Sequence, residues 1–454
     1  MSDGSPWLSL PQLTDRVAAG EIDTVVVAMT DMQGRLQGKR FDAGHFLDEV
    51  VHHATEGCSY LLAVDVDMNT VGGYGLSSWE TGYGDFVLRP DLSTLRPLPW
   101  HRASTICHAD VTWEDGRPVE PSPRRVLQRQ VARLAERGWA ALGATELEFI
   151  VFEDSYERAA DSGFRRLTPA NRYNVDYSIL GTSRIEPLLG RIRREMSAAG
   201  MRVESVKGEC NLGQHEMAFR YDELVAKADE HTLFKLGAKE IAAQEGYSIT
   251  FMAKYDEREG NSCHVHLSLR DGDDGAVFAG EGAHGMSPVF EHFLAGLLAA
   301  APELTLLYAP NINSYKRYAA ASFAPTAIAW GRDNRTCAFR VVGHGPSLRV
   351  ENRIAGGDVN PYLALAALVA AGLHGVEQEL PLEPELVGNA YTSGAPRLPT
   401  TMREAAGLFE QSSIARAALG DEVVDHYVNM ARVELAAFES AVTDWERYRG
   451  FERL

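Results

Sequence analysis

Glu259-Gly260-Asn261-Ser262-Cys263-His264-Val265-His266-Leu267-Ser268-Leu269 is the stretch that decides how this chain is read. From Cys263 onward His264, His266 and Ser268 fall on one side and Val265, Leu267 and Leu269 on the other, the period of a β-strand. A half-buried strand normally turns its polar side to water. Two imidazoles and a hydroxyl in register point instead to a sheet face that lines a working cavity. A His-x-His strand alone is more often surface or satisfied core; other strands that repeat the pattern with carboxylates and guanidinium groups reverse that reading.

Thr145-Glu-Leu-Glu-Phe-Ile-Val-Phe152 is such a strand, with Glu146 and Glu148 on one face and Leu147, Phe149 and Val151 on the other. Adjacent carboxylates on an apolar strand repel unless cations neutralise them or one keeps its proton. Hard divalent ions, Mg2+ or Mn2+, prefer such oxygen ligands with some imidazole. Lys207-Gly-Glu-Cys-Asn-Leu-Gly-Gln-His-Glu-Met-Ala-Phe-Arg220 adds Glu209 and Glu216. Asn313-Ser-Tyr-Lys-Arg317, Asn334-Arg-Thr-Cys-Ala-Phe-Arg340 and Arg349-Val-Glu-Asn-Arg353 add Arg317, Arg335, Arg340, Arg349, Glu351 and Arg353. Arginine suits bidentate holding of carboxylate and phosphate oxygens. Any one of these segments reads equally as a solvated edge or a surface ion pair. Together they supply an inventory for two divalent cations, a polyphosphate and an anionic substrate.

At 454 residues the chain exceeds the size at which one core stops growing, so two domains are expected. With 44 basic against 63 acidic residues, a net charge of −19, nucleic acid and anionic membrane are disfavoured as partners. Small anionic substrates are not, since a local arginine cluster overrides net charge. Five scattered cysteines without a C-x-x-C pair fit a reducing compartment. The N-terminus lacks the pattern of a signal peptide, and the most apolar run, Leu363 to Leu373, is too short to span a bilayer. A cytoplasmic protein is expected.

Along the chain, a helix is expected over residues 8–20, a hairpin of Thr24–Met29 and Arg35–Phe41 about the turn Asp31–Gly34, a helix from Ala43 to Ala54 and a strand around Tyr60–Val66. Residues 69–85 read as a long loop. Thr105–Thr112 reads as a strand, Pro121-Ser-Pro123 opens a helix over Arg124–Arg137, and strands alternate with helices up to about residue 376. The last 50 residues read as helical, with Val433, Leu435, Phe438 and Val442 as an apolar stripe.

In this order the motifs TELEF, GECNLGQHE, GNSCHVHLSL, NSYKR, NRTCAFR and RVENR resemble those of the glutamine synthetase superfamily, type I, from about Val25 to the C-terminus. The resemblance implies an α+β fold: a small N-terminal β-grasp domain (residues 1–110), then a catalytic αβ domain (residues 111–454) whose antiparallel sheet lines the site. It implies a homo-oligomer, usually a double-ring dodecamer, with active sites between subunits. Glu148, Glu209 and Glu216 resemble ligands of a first metal, and Glu146, His264 and Glu351 those of a second. Gly260, Arg317 and Arg353 match glutamate-holding positions. Glu204, Tyr221, His266, Ser268, Arg340 and Arg349 match contacts to ATP, and Arg335 the arginine near the transferred phosphoryl group. The implied reaction forms γ-glutamyl phosphate from glutamate and ATP, and an amine then displaces phosphate. Phosphoryl transfer of this kind needs positioning and charge neutralisation more than covalent help.

The chain departs from the family at the amine end. Ammonia-using members carry a flap glutamate six residues after the arginine of NSYKR; counting from Arg317 reaches Phe323. Before the first histidine, Asn-Gly-Ser-Gly becomes Glu259-Gly-Asn-Ser262. Asp85 matches one acidic position of the loop that serves a neighbouring subunit, and the other has no clean match. These changes fit an amine with a carbon chain, so a γ-glutamyl-amine ligase using ethanolamine or a polyamine is expected. A deprotonation device is still required: an amine with a pKa near ~10.4 lies ~3.4 units from neutrality, roughly 4.6 kcal/mol against its free base. Asp85 or Glu259 are the candidates for it. The alternatives are a true glutamine synthetase in which Phe323 is a neutral change, a catalytically idle ring scaffold and a two-metal hydrolase; the six filled metal positions argue against the idle scaffold, and the arginine set against the hydrolase.

Overall fold

Period-two patterning runs through both halves of the chain, and the strands it specifies form two sheets in the computed structural model, which describes residues 7–454. The first sheet comprises β1 (Thr24–Thr30), β2 (Leu36–Asp42), β3 (Thr55–Cys58), β4 (Asp85–Pro90), β5 (Arg96–Pro97) and β6 (Ser104–Thr112), in the order β2-β1-β6-β4-β3 with β5 also on β6. β1 and β2 are the expected hairpin. Its turn is closed by the Asp31 carboxylate, which accepts hydrogen bonds from the backbone of Gln33 (3.0 Å) and Arg35 (2.8 Å). β6 runs parallel to β1, which places Val25, Val27, Thr105 and Cys107 in one buried layer, with Ile106 buried on the opposite face.

Two local expectations in this region need correcting. Residues 43–53 are helical, but a π-helical turn at Phe46–Val50 interrupts the α-helix. No strand forms at 60–66: Ser59–Leu62 is a 3-10 turn, and the ladder partner of β4 is the preceding segment, β3. Leu62, Ala63 and Val64 are fully buried, so the apolar run tucks into the core rather than joining the sheet. A short apolar run does not by itself distinguish these outcomes.

The second sheet holds β7 (Trp139–Phe152), β8 (Val203–Gly208), β9 (Gln214–Phe219), β10 (Asp222–Glu223), β11 (Ser248–Thr250), β12 (Cys263–Asp271), β13 (Trp330–Arg332), β14 (Phe339–Val342) and β15 (Arg349–Asn352). Its order is β13-β14-β15-β12-β7-β9-β8, with β10 and β11 also on β7. Every pairing is antiparallel except β13 with β14. Leu147, Phe149, Met217, Val265, Leu267 and Val350 are buried on one face, and the helices Pro123–Ala135 and Leu224–Gln244 pack on β7. The other face carries the charged and imidazole side chains.

The helix Pro361–Glu377 is apolar all round and almost wholly buried, as such a helix must be. It packs along Pro288–Tyr308, a 21-residue helix long and apolar enough to cross a membrane by length and composition, 61% of whose apolar window is buried inside the protein. At the C-terminus the helix Asp421–Ser440 buries Val423, Val424, Tyr427, Val428 and Ala431, whereas Phe438 and Val442 of the expected stripe are exposed. Full burial ends at Ala431, Leu435 is half-buried against the core, and the apolar pattern runs on past it. All five cysteines are free thiols.

The two long apolar helices touch backbone to backbone. A Cβ at Gly296 would lie 2.2 Å from the Ala371 carbonyl oxygen, and one at Gly375 would lie 2.1 Å from that of His292. Intrinsic propensity favours alanine over glycine in a helix by about 1 kcal/mol, but overpacking a core costs about 1–3 kcal/mol. Gly375→Ala should therefore lower the denaturant midpoint of unfolding despite its better helix propensity, as chemical denaturation followed by circular dichroism would show.

Candidate active site

Strand register brings the charged residues together. Glu148 on β7 stands opposite Glu216 on β9, and Glu216 opposite Lys207 on β8. One row along, His264 on β12 stands opposite Glu146, and His266 opposite Glu351 on β15, which in turn faces Arg340 on β14. The parity read from the sequence thus places Glu146, Glu148, Glu216, His264, His266, Glu351 and Arg340 on one sheet face. Glu209 joins them from the loop after β8.

The ligand atoms of Glu148, Glu209 and Glu216 lie within 4.8 Å of one another. Burial, then the neighbouring Glu209 carboxylate, pushes Glu148 up; burial, then Glu146, pushes Glu216 up to about 8. Lys207 supplies positive charge here, paired with Glu209 and 3.6 Å from Glu216. The second group is shared around Glu146, whose oxygens lie 3.2 Å from His264 Nδ1 and 3.1 Å from His266 Nε2. Burial, then Arg353, draws His264 down to about 4, so its ring is neutral at pH 7. Burial works to raise Glu146, but the hydrogen bonds from His264 and His266 hold it well below the carboxylate range. A neutral imidazole is the form that ligates metal.

These sets fit hard divalent cations: buried carboxylates without matching positive charge, and a His264 Nε2 that is buried without a hydrogen-bond partner. Glu148, Glu209 and Glu216 could hold one ion. For a second, His264 lies between Glu146 and Glu351, at 3.2 and 3.6 Å. The compact triads there recruit more than the expected trio: Glu146, Glu216 and His264, and Glu146, His266 and Glu351. Glu351 is buried yet charged. Burial opposes its ionisation, and His264 beside it and the guanidinium groups of Arg353 (2.5 Å) and Arg340 (2.9 Å) overcome that.

The arginines differ in availability. Arg317 is buried and committed to its own chain: its Nη groups donate to Ser262 Oγ (3.1 Å) and to the carbonyls of Arg353 (3.1 Å), Ile354 and Ala355 (2.9 Å), which leaves Nε unpartnered. Arg353 bonds Glu351 and, at 3.4 Å, the Phe323 carbonyl. Arg349 Nε lies 3.2 Å from His266 Nδ1, with Ser268 farther along the same strand. Gly260 leaves room for backbone: a Cβ there would meet the Ala253 carbonyl oxygen at 2.1 Å and Arg317 Cγ at 3.0 Å.

Other predicted residues lie at the periphery. Glu204 is the bulge residue of β8 and is exposed, as is Tyr221. Arg335 and Phe323 line one open cleft of about 470 Å³ with Asn334, Glu385 and Val387. Phe323 is 56% exposed, with φ at +58°. The Glu259 carbonyl accepts a hydrogen bond from Asn211 Nδ2 at 2.7 Å. Asp85 opens β4 in the first sheet, pairs with Cys58 in register and is exposed; the structure does not bring it to this group.

Sequence reading passed over three residues. Gln214 Nε2 donates to Glu148 (3.1 Å), the Gly260 carbonyl (2.9 Å) and Asn261 Oδ1 (3.0 Å), and its parity with Glu216 was a usable signal. The Ser262 backbone N–H donates to Glu148 at 2.7 Å, which no pattern announces. Lys207 sits two residues from both Ser205 and Glu209 on the site face.

A carboxyl whose folded pKa is raised stabilises the fold below its unfolded pKa and loses that contribution as pH rises through the folded value. Metal-free protein should therefore lose thermal stability between about pH 5 and about pH 8.5. Glu216→Gln should flatten that loss, and Mg2+ or Mn2+ should restore the wild type at the alkaline end. Calorimetry of the two proteins across this range, with and without metal, measures each effect.

Comparison with known proteins agrees with this geometry. The glutamine synthetase catalytic domain matches residues 120–449. A γ-glutamylethanolamide synthetase of Streptomyces coelicolor is 64% identical over 454 residues, covering 100% of this chain and 98% of its own. A glutamate–isopropylamine ligase of a Pseudomonas species is 37% identical, covering 96% of this chain and 97% of its own. The ADP complex of GmaS superposes with a TM-score of 0.85 at 28% identity, covering 97% of this chain and 99% of that one. With a catalytic-domain match over most of its length and full-length relatives of this kind, the chain belongs to the glutamine synthetase family.

Proposed function

We propose that this protein is an ATP-dependent ligase that joins the γ-carboxylate of L-glutamate to a primary amine, with ethanolamine as the physiological nucleophile. The observation that carries the amine is Phe323: the acid that family members using ammonia place there is absent, and an exposed aromatic ring lines the cleft instead. The extent of identity to a γ-glutamylethanolamide synthetase supports ethanolamine over a polyamine.

Glu148, Glu209 and Glu216 would hold one Mg2+ or Mn2+ ion, and Glu146, His264 and Glu351, with His266 close by, a second. Bound there, the ions supply charge neutralisation to the phosphates. The rest falls to side chains. Arg349, Arg340, His266 and Ser268, with Glu204 and Tyr221 at the rim, face the nucleotide. Arg353 and the Gly260 backbone orient glutamate, while Arg317 ties the two segments that carry them, bonding Ser262 on one and the carbonyls of Arg353 and Ala355 on the other. A γ-carboxylate oxygen attacks the γ-phosphorus of ATP as the bond to ADP breaks, and Arg335 faces the charge on the moving phosphoryl group. Glu259 or Asp85 takes a proton from the arriving ammonium group. The free amine nitrogen then attacks the γ-carbonyl, the bond to phosphate breaks, and the second proton of the nitrogen leaves with phosphate or to water.

Asp85 lies on the first sheet, exposed, so in this reading it serves a neighbouring subunit's site. That arrangement calls for a ring assembly, two stacked rings and a dodecamer, with residues 1–110 as the β-grasp unit and 111–454 as the catalytic unit. Five free thiols suit a reducing cytoplasm.

Phosphate release with glutamate and ATP should be fastest with ethanolamine in a screen against ammonia, putrescine, spermidine and monoamines. Ammonia as the best nucleophile would make the protein a glutamine synthetase instead. Phe323→Glu should raise the relative rate with ammonia, and Arg335→Ala should lower kcat by about 10²-fold or more.

A further inference from the structure

Between β8 and the preceding loop, one alkylammonium group is already held in the manner that an amine substrate would require. Lys207 Nζ pairs with Glu209, lies 3.6 Å from Glu216 and stands 4.8 Å from the centre of the Tyr177 ring. A carboxylate and an aromatic face are the two groups that recognise such a cation. Beside it Asp176 brings a carboxylate oxygen within 4.8 Å of Glu209 and the Cys210 sulfur, and its Oδ2 lies 3.6 Å from that sulfur. Asp176 is exposed, and among the described residues no lysine or arginine pairs with it. Tyr177 is 71% exposed. Its backbone N–H donates to the Gly208 carbonyl at 3.3 Å, which ties the loop to the strand that carries Lys207 and leads to Glu209.

We propose that Asp176 and Tyr177 form the receiving edge for the ammonium head of the amine substrate, with Asp176 supplying the carboxylate that Phe323 removes from the flap. The inference rests on the ligase reading above. A primary amine reaches the site as a cation at neutral pH. It needs an anion to meet it and a flat apolar surface for the first methylene groups of its chain. Asp176 offers the first and the Tyr177 ring the second, next to Glu209 and thus beside the group where glutamate would be activated. Glu259 belongs to the same margin, since its carbonyl accepts a hydrogen bond at 2.7 Å from the side chain of Asn211, the residue after Cys210. Both residues are specificity determinants in this account. They select a charged, carbon-bearing nucleophile and leave the phosphoryl-transfer machinery alone.

Steady-state kinetics of the full-length enzyme test this with two nucleophiles, ethanolamine and hydroxylamine, the second uncharged at neutral pH. Asp176→Asn should raise KM for ethanolamine roughly three- to tenfold, the range for loss of a partly exposed charge contact. KM for hydroxylamine, glutamate and ATP should stay at wild-type values. Tyr177→Phe should keep the wild-type KM for ethanolamine, and Tyr177→Leu should raise it. An unchanged ethanolamine KM in Asp176→Asn, or an equal rise with hydroxylamine, would overturn the assignment. Wild-type enzyme that released phosphate with no amine at all would overturn the ligase reading itself.

Discussion

Repulsion among carboxylates on one sheet face is the constraint to which the rest of this structure answers. Glu148, Glu209 and Glu216 are brought within 4.8 Å of each other, and Glu146 is one row away. Burial makes their charge costly and their closeness makes it costlier. No fold gathers such groups without a counter-charge, and Lys207 is too little for three carboxylates. Divalent cations would complete the balance, and the site would then have the charge needed to receive a polyphosphate.

The two halves of the site are balanced in different ways. Around Glu351 the chain provides its own cations, Arg340 and Arg353, and the carboxylate stays ionised though buried. Around Glu148 and Glu216 it does not, and both are pushed toward the protonated form. One half is a self-balanced ionic frame and the other is carboxylate-rich. Long antiparallel β7 links them, since it carries Glu146 toward the first and Glu148 toward the second, with Leu147 and Phe149 anchoring the same strand in the core.

Much of this was legible in the sequence because a strand's period is two. Alternation alone placed Glu146 with Glu148, His264 with His266, and Glu351 with Arg349 and Arg353, and the order of motifs then tied the strands together. What stayed hidden depends on geometry that has no period. The loop residue Ser262 reaches Glu148 through its backbone N–H. Arg317 carries the expected sequence signal but turns Nη2 to backbone carbonyls and Nη1 to Ser262 Oγ. Asp85 falls on the other sheet, exposed at the start of β4 and apart from the charged group. In the fold, the apolar run near residue 62 gave no strand, because a buried turn and a ladder strand have the same short hydrophobic signature. The apolar pattern at Phe438 and Val442 continues beyond the core that its helix packs on.

Counting bound Mn2+ by electron paramagnetic resonance tests most directly whether these side chains converge on shared ions. Wild-type protein should bind about two ions per chain, and Glu148→Ala, shown to be folded by circular dichroism, should lose at least one of them. Equal Mn2+ stoichiometry and affinity in the variant and the wild type would contradict the account.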